Sequence, residues 1–543
     1  MEKIEANIVD VLGRKIFKGV VSFENGIIIN LEERNDINSS VFILPGLINS
    51  HVHIESSMLT PLEFSRLAVR KGTVAVVSDP HEIANVLGKA GVEFMIENAK
   101  LSPMKFYFGA PSCVPATYFE TSGFVLDSTD IDELLLRDNI YFLSEMMNFP
   151  GVIFEDKEVL DKIESAKKYG KPTDGHAPGL SGESLIKYAD AGITTDHESS
   201  NVFEAEEKIK LGIKLQIREG SAAKNFDSLY TLIDKYPNDV MLCTDDSHPD
   251  DLIEKHIDEL IRRGISKGVD FFNLISAATL NPVKHYNLNV GLLQQNDTAD
   301  FIIVDNLSDF NVLETYINGQ KVFANNTVNI KNIASLEINN FKRTSISVDD
   351  ICIESKNNNS CRVIEAFDGE LLTKEIVTEI NEINGKLVSN IENDILKIVV
   401  VNRYDNSAKP SVGFIKGFGL KTGALAESIA HDSHNIISVG VDDESIVKAI
   451  NEVIFHKGGI AAFNGKKTFS LPLNIAGLMT NQDGFEVAEI YKNLNSVAKE
   501  MGSVLKSPFM TLSFMALLVI PDLKLGDKGL FKINDYNFVD LFV

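Results

Sequence analysis

The chain has 543 residues, 44% of them hydrophobic, which is enough for a large buried core and roughly two to four domains. Its 77 acidic against 52 basic residues leave a formal net charge of -25, which repels phosphate backbones and anionic lipid surfaces, so nucleic acid and membrane are excluded as partner classes. Four sparse cysteines (Cys113, Cys243, Cys352, Cys361) without a CxxC pair indicate neither a disulfide scaffold nor a thiolate zinc site, and they fit a reducing cytoplasm.

The opening "MEKIEANIVD" shows no basic region followed by an apolar stretch, and the apolar run "MALLVIP" near residue 518 is too short to span a bilayer, so a soluble cytoplasmic protein is expected. Residues 1-43 read as short strands, with Asn25-Gly26 in "RKIFKGVVSFENGIIIN" as a hairpin turn. From about residue 42 to 245, short β-rich runs alternate with stretches of helical period such as "PLEFSRLAVRKG" and "DKEVLDKIESAKKYGKP", which argues for a parallel sheet.

Eight such runs occur: "VFILPGLI", "TVAVVS", "KFYFG", "IYFLSE", "KPTDGH", "ITTDH", "IKLQIRE" and "VMLCTD". Eight is the number of a TIM-type (β/α)8 barrel, which collects its chemistry at the C-terminal ends of its strands. At those ends stand His51 and His53, His81 in "DPHE", "PSC", Glu145, His176, His197, Glu219 and Asp245. A doubly wound open sheet is the alternative, but it does not explain ligand-type residues at nearly every strand end.

The barrel is expected to occupy residues 44-284, ending in the helix "FFNLISAATLNPVKHY". Residues 285-335 return to short strands, with Asn318-Gly319 as a turn, and should pair with the N-terminal strands in a small β-sandwich domain built from both flanks. Residues 329-342 read as a polar connector. Residues 345-543 alternate strands with amphipathic helices, as a separate C-terminal α/β domain would.

Two histidines at i and i+2 of an extended strand point the same way, so His51 and His53 can aim at one spot. Alone, the pair could equally be structural. His51, His53, Glu145, His176, His197 and Asp245 together are residue types that hold a divalent metal, and stability alone rarely gathers such a set at one rim. Two ions can share it if Glu145 bridges them, with His51 and His53 on one, His176 and His197 on the other, and Asp245 near the first. A water held there would lose a proton near neutral pH, and Asp245 could accept that proton and pass it on.

The strings "PGLINSHVHIESSM", "SDPHEIANVLG", "EMMNFPGV", "DGHAPGL", "TTDHES" and "CTDDSHPDDL" resemble the amidohydrolase superfamily, and within it the adenine deaminase group, over nearly the whole chain. "HIESSM" and "DPHEIANVLG" carry the narrower resemblance. It implies hydrolysis of free adenine to hypoxanthine and ammonia in purine salvage, by a metal-bound hydroxide at a binuclear centre. Glu145 would stand where many superfamily members carry a carboxylated lysine, and Asp245 would shuttle a proton to the leaving amine. The implied cofactors are two divalent ions, manganese before iron and iron before zinc. One departure is Asn49, where Asp is common before the first histidine. The HxE…PCxxC signature of the zinc nucleobase deaminases is absent.

Several further residues have a functional and a bland reading. His81 and Glu82 face the same rim, as substrate contacts or as supports of the neighbouring loop. Glu55 is a support of the ligands or a solvated or helix-capping carboxylate. Asp246 and His248 adjoin Asp245, where paired carboxylates could hold a proton, or Asp246 caps the next helix. Glu219 is a purine contact or a partner of Arg218 or solvent. His431, Asp432 and His434 in "ESIAHDSHNIISVG" form a polar turn, or a loop folded over the barrel mouth.

"GFGLKTG" lacks the spacing of a phosphate-binding loop and reads as a turn. "SPFMTLSFMALLVIP" reads as core or interface, which favours a homo-oligomer, a dimer or larger. Two rival functions remain: another metal-dependent amidohydrolase acting on a cyclic amide or amino-heterocycle, and a non-catalytic amidohydrolase-like scaffold, which should have lost ligands that are all present here.

Overall fold

The structure is a computed structural model that describes residues 1–221 and 223–543. Eight strands run β1 (Leu47–His53), β2 (Thr73–Ser78), β3 (Lys105–Ala110), β4 (Ile140–Met146), β5 (Thr173–Gly175), β6 (Thr195–Asp196), β7 (Lys214–Arg218) and β8 (Val240–Cys243). Each lies parallel to the next; β5 and β6 join through a Thr173–Ile193 bridge, and Asp245–Asp246 pairs with Val52–His53 of β1. The ring closes on itself, which excludes the open doubly wound sheet.

Strands buried on both faces read as continuous apolar runs, and β2 ("TVAVVS") and β8 ("VMLC") are buried at every position. The helices between strands carry their own start signals. In Lys157–Lys168, Asp156 accepts from the amides of Glu158 and Val159 at 2.9 and 3.3 Å. The same helix buries Val159, Ile163 and Ala166 at helical spacing.

The first run differs from its reading as one strand. "VFILPGLI" divides at Gly46: Phe42–Pro45 belongs to a flanking sheet and Leu47 begins β1. The Gly46 amide donates to Asp300 and the Leu47 amide to Gly72. A Cβ on Gly46 would lie 2.2 Å from Cγ1 of Val74, so the handover between sheets needs glycine there.

The flanking sheet has eight strands drawn from both sides of the barrel, with Phe42–Pro45 between Phe301–Val304 and Glu2–Asp10. It folds over its own core: the Phe23 ring meets the Phe301 ring edge-on at 5.4 Å although two strands lie between theirs. Both Asn-Gly pairs are turns with positive φ, at 51° and 80° for Asn25 and Gly26 and 49° and 72° for Asn318 and Gly319.

The C-terminal half holds a second eight-stranded sheet, with helices Asp443–Phe455 and Gly484–Glu500. It docks on the barrel's first helix, Pro61–Ala68, where Arg66 bridges buried Glu63 (2.6 Å) to Asp483 (2.8 Å). The apolar run "SPFMTLSFMALLVIP" is covered within the chain: Phe509, Leu512 and Met515 are fully buried. That run therefore carries no argument for an oligomer. Among the described residues no helix is long and apolar enough to cross a membrane.

Glu427 ends an interior strand of the C-terminal sheet, fully buried, with no hydrogen-bond partner for either oxygen among the described residues. Burial raises its carboxyl well above the ordinary 4.5. Above pH 4.5 the native chain keeps a proton that the unfolded chain releases, so this group's stabilisation is fullest below that pH and falls as pH rises. Glu427→Gln is therefore expected to raise Tm more at about pH 8 than at about pH 5. An equal shift at both would show that Glu427 is not the titrating group.

Candidate metal centre and active site

β1 places His51 and His53 on one side of the strand, both buried, with their Nε2 atoms 3.2 Å apart. Glu145, near the end of β4, turns a different oxygen to each histidine set. Its Oε1 lies 3.2 Å from His53 Nε2, and its Oε2 lies 2.7 Å from His176 Nδ1 and 3.2 Å from His197 Nε2. Asp245, just past β8, reaches His53 Nε2 at 3.1 Å and His51 Nε2 at 3.6 Å. Its φ of 58° is left-handed, a strained conformation for Asp that turns the carboxylate into the mouth.

Glu198 and Asp79, two carboxylates that the sequence reading passed over, also enter this ground. Donor atoms of His51, His53 and Asp245, of His51, Glu145 and His197, of His176, His197 and Glu198, and of His53, Asp79, His81 and Glu145 each converge within 4.8 Å. Nitrogen and carboxylate donors massed at this density suit a divalent metal centre. The donor set fits such a centre.

The charges are consistent with that fit. Burial alone would raise Glu145, yet His176, His197 and His53 hold its carboxyl well below the usual range. Asp245 is likewise lowered against burial, by Arg218 first and then by His51 and His53. Arg218 is buried; its Nη1 donates to both Asp245 Oδ2 and Glu198 Oε1, and its Nη2 to Glu198 Oε2 at 2.9 Å.

At the end of β7 the residue turned into the site is Arg218, not the expected Glu219. Gln216, two residues earlier, donates into the barrel to the Ser50 carbonyl at 2.7 Å, so strand parity puts Arg218 inside. Glu219 faces outward, paired with Arg263 at 2.7 Å, and the structure does not bring it to the pocket.

Opposite the histidines lies a second edge. Ser56 Oγ sits 2.8 Å from Glu82 Oε1 and 2.5 Å from Asp246 Oδ1. A hydroxyl has one proton, so Ser56 donates to one of these carboxylates at a time and links the two. Burial raises Glu82. Behind it, burial and the Glu82 charge push Glu55 up to about 8, and Glu55 accepts from the Ile83 amide at 3.3 Å, in the first turn of the helix His81–Leu87.

His431 and Asp432 arrive from the C-terminal half. His431 Nδ1 lies 3.7 Å from Glu82 Oε1, and Asp432 Oδ1 lies 3.9 Å from His81 Nε2. Burial lowers His431, but Asp432 and Glu82 outweigh it and carry the imidazole up to about 9. An apolar roof of Leu371, Phe514, Leu517, Val519 and Ile520 covers the pocket.

His434 is fully buried, with no hydrogen-bond partner for either ring nitrogen among the described residues, and does not line the pocket. His248 also stands back: its Nδ1 meets the Tyr491 hydroxyl at 2.5 Å, and burial pushes the ring down to about 4. Asn49 exchanges hydrogen bonds with Thr244, next to Asp245, and contacts His256 Nε2 at 3.0 Å. An amide can both donate and accept there, as a carboxylate could not.

A closed (β/α)8 barrel with histidines and carboxylates at its strand ends is the layout of the amidohydrolase family, whose model matches residues 42–322. The family model described as adenine deaminase C-terminal domain matches residues 370–537. The adenine deaminase of Methanosarcina mazei is 56% identical over all of both chains. Those of a Sulfurovum species and of Borreliella burgdorferi are 50% and 47% identical over 99% of each chain. The chain belongs to the adenine deaminase family.

If these side chains form a metal centre, chelated protein titrated with Mn2+ should melt at higher temperature, with roughly 2.7 kcal/mol of stabilisation once free metal exceeds Kd a hundredfold. No shift with manganese, iron or zinc would count against the centre.

Proposed function

We propose that this chain hydrolyses free adenine to hypoxanthine and ammonia at a centre of two divalent ions, with manganese preferred to iron and iron to zinc. The observation that carries the reading is full-length identity of 45–56% to proteins named adenine deaminase. It joins a pocket with histidines and carboxylates on one edge and Glu82, Ser56 and Asp246 in hydrogen-bond contact on the other.

In this reading His51, His53 and Asp245 hold one ion, His176 and His197 the other, and Glu145 serves both. Bound there, the ions would offset the packed negative charge and make a water acidic enough to react near neutral pH. Asp245, kept anionic and aimed by Arg218, takes the proton of the attacking water as the C6–O bond forms. It delivers that proton to the amino nitrogen as the C6–N bond breaks, so adenine and water become hypoxanthine and ammonia.

Glu82, linked through Ser56 to Asp246, gives a proton to the ring nitrogen that gains electron density, and the second proton of the attacking water returns to Glu82 as the C6 carbonyl forms. The roof stacks on the purine and excludes water. A free base as substrate places the reaction in purine salvage, and free cysteines throughout suit the cytoplasm.

Ammonia release from adenine by manganese-reconstituted protein tests this directly. Glu145→Gln and Asp245→Asn are each expected to lower kcat by about 10²- to 10⁴-fold. Unchanged kcat in both would overturn the assigned roles. His431→Ala should lower kcat/KM for adenine about tenfold, through loss of the Glu82 contact and the pocket wall. An unchanged kcat/KM would remove the C-terminal loop from the site.

A further inference from the structure

The roof of the pocket has an unusual support. Residues 514–520 follow the short helix Pro508–Ser513 as a single 3-10 turn and an irregular stretch, so no sheet ladder holds their backbone. Buried carbonyls in such a stretch need donors from elsewhere.

Lys524, on the strand Leu523–Gly526, reaches back beneath this segment, and its side chain is fully buried. Its Nζ donates to the Leu371 carbonyl at 2.6 Å and to the Phe514 carbonyl at 3.0 Å. Leu371 and Phe514 both line the pocket. They come from chain segments about 140 residues apart, so one amine ties two walls together. The Phe514 ring in turn stacks on His431, with centroids 4.8 Å apart and planes 12° from parallel.

Lys524 has no ion-pair partner among the described residues, and burial pushes its ammonium down to about 7. A lysine buried without a carboxylate is disfavoured for stability alone, and an apolar side chain would fill the same space more cheaply. What it adds is the two hydrogen bonds to the pocket walls. Beside it the attachment is reinforced by Thr373, whose Oγ1 donates to the Leu523 carbonyl at 2.8 Å and whose amide donates to Pro521 at 3.0 Å.

We propose that Lys524 is a positioning residue of the substrate pocket, fixing Leu371 and Phe514 so that Phe514 stays stacked on His431. It touches neither the candidate metal ligands nor the pocket interior, so its effect should fall on substrate binding and not on the chemical step. The inference rests on the adenine reading only through the substrate of the assay.

Lys524→Met keeps the aliphatic length and removes both donors; Lys524→Gln retains an amide donor. In manganese-loaded Lys524→Met, KM for adenine should rise about tenfold while kcat stays within about threefold, with Lys524→Gln between it and the parent. Amide exchange followed by mass spectrometry, without substrate, should quicken across residues 509–520 and stay unchanged in the strands of the C-terminal sheet.

A folded variant with unchanged KM and unchanged exchange at 509–520 would overturn the proposal. So would faster exchange spread evenly over the C-terminal half, which marks ordinary destabilisation. Where Lys524→Met does not fold, Lys524→Gln carries the same two readouts. If the parent chain does not turn over adenine, the functional reading fails while the exchange comparison still decides the role of Lys524.

Discussion

A carboxylate withdrawn from water is costly unless charge or hydrogen bonds answer it, and Glu145 is buried among four imidazoles. The barrel is the device that makes this possible. Strands β1, β4, β5 and β6 each end at the same mouth, so His53, Glu145, His176 and His197 meet although up to 144 residues separate them. Removing Glu145's charge would leave several basic rings facing one another; removing the rings would leave a buried anion. The two halves of the site are mutually required, and the strand ends must be stiff enough to hold them.

Around that centre the molecule is arranged as opposed functions on facing walls. One wall gathers nitrogen and oxygen donors. The other links Glu82 and Asp246 through the Ser56 hydroxyl, with His431 beside them. The roof is apolar. The two edges differ in their surroundings: Arg218 stabilises charge on Asp245, while burial disfavours it on Glu82.

Much of this was legible in the sequence because strands and histidines leave periodic marks. Every one of the eight runs holds a barrel strand, and the spacing of His51 and His53 gives their shared direction at once. Two kinds of information were not local. The division at Gly46 depends on a close approach to Val74 that no pattern within the run reveals. Arg218 points inward by the strand parity that Gln216 sets, which residue type alone does not reveal, while Glu219, of ligand type, lies on the other face. The apolar stretch before residue 520 showed that it needed covering, but not that its cover is the barrel mouth of the same chain.

The chain emerges from its N-terminus, so the histidines and carboxylates at the barrel mouth exist before the roof segment that begins at Phe514. Roughly 270 residues separate Asp245 from Phe514, on the order of ten to fifty seconds of synthesis at ordinary elongation rates. During that interval the barrel can fold with its mouth open to solvent. A small ligand or ion can then reach the strand ends without crossing the apolar cover that Phe514, Leu517, Val519 and Ile520 later supply.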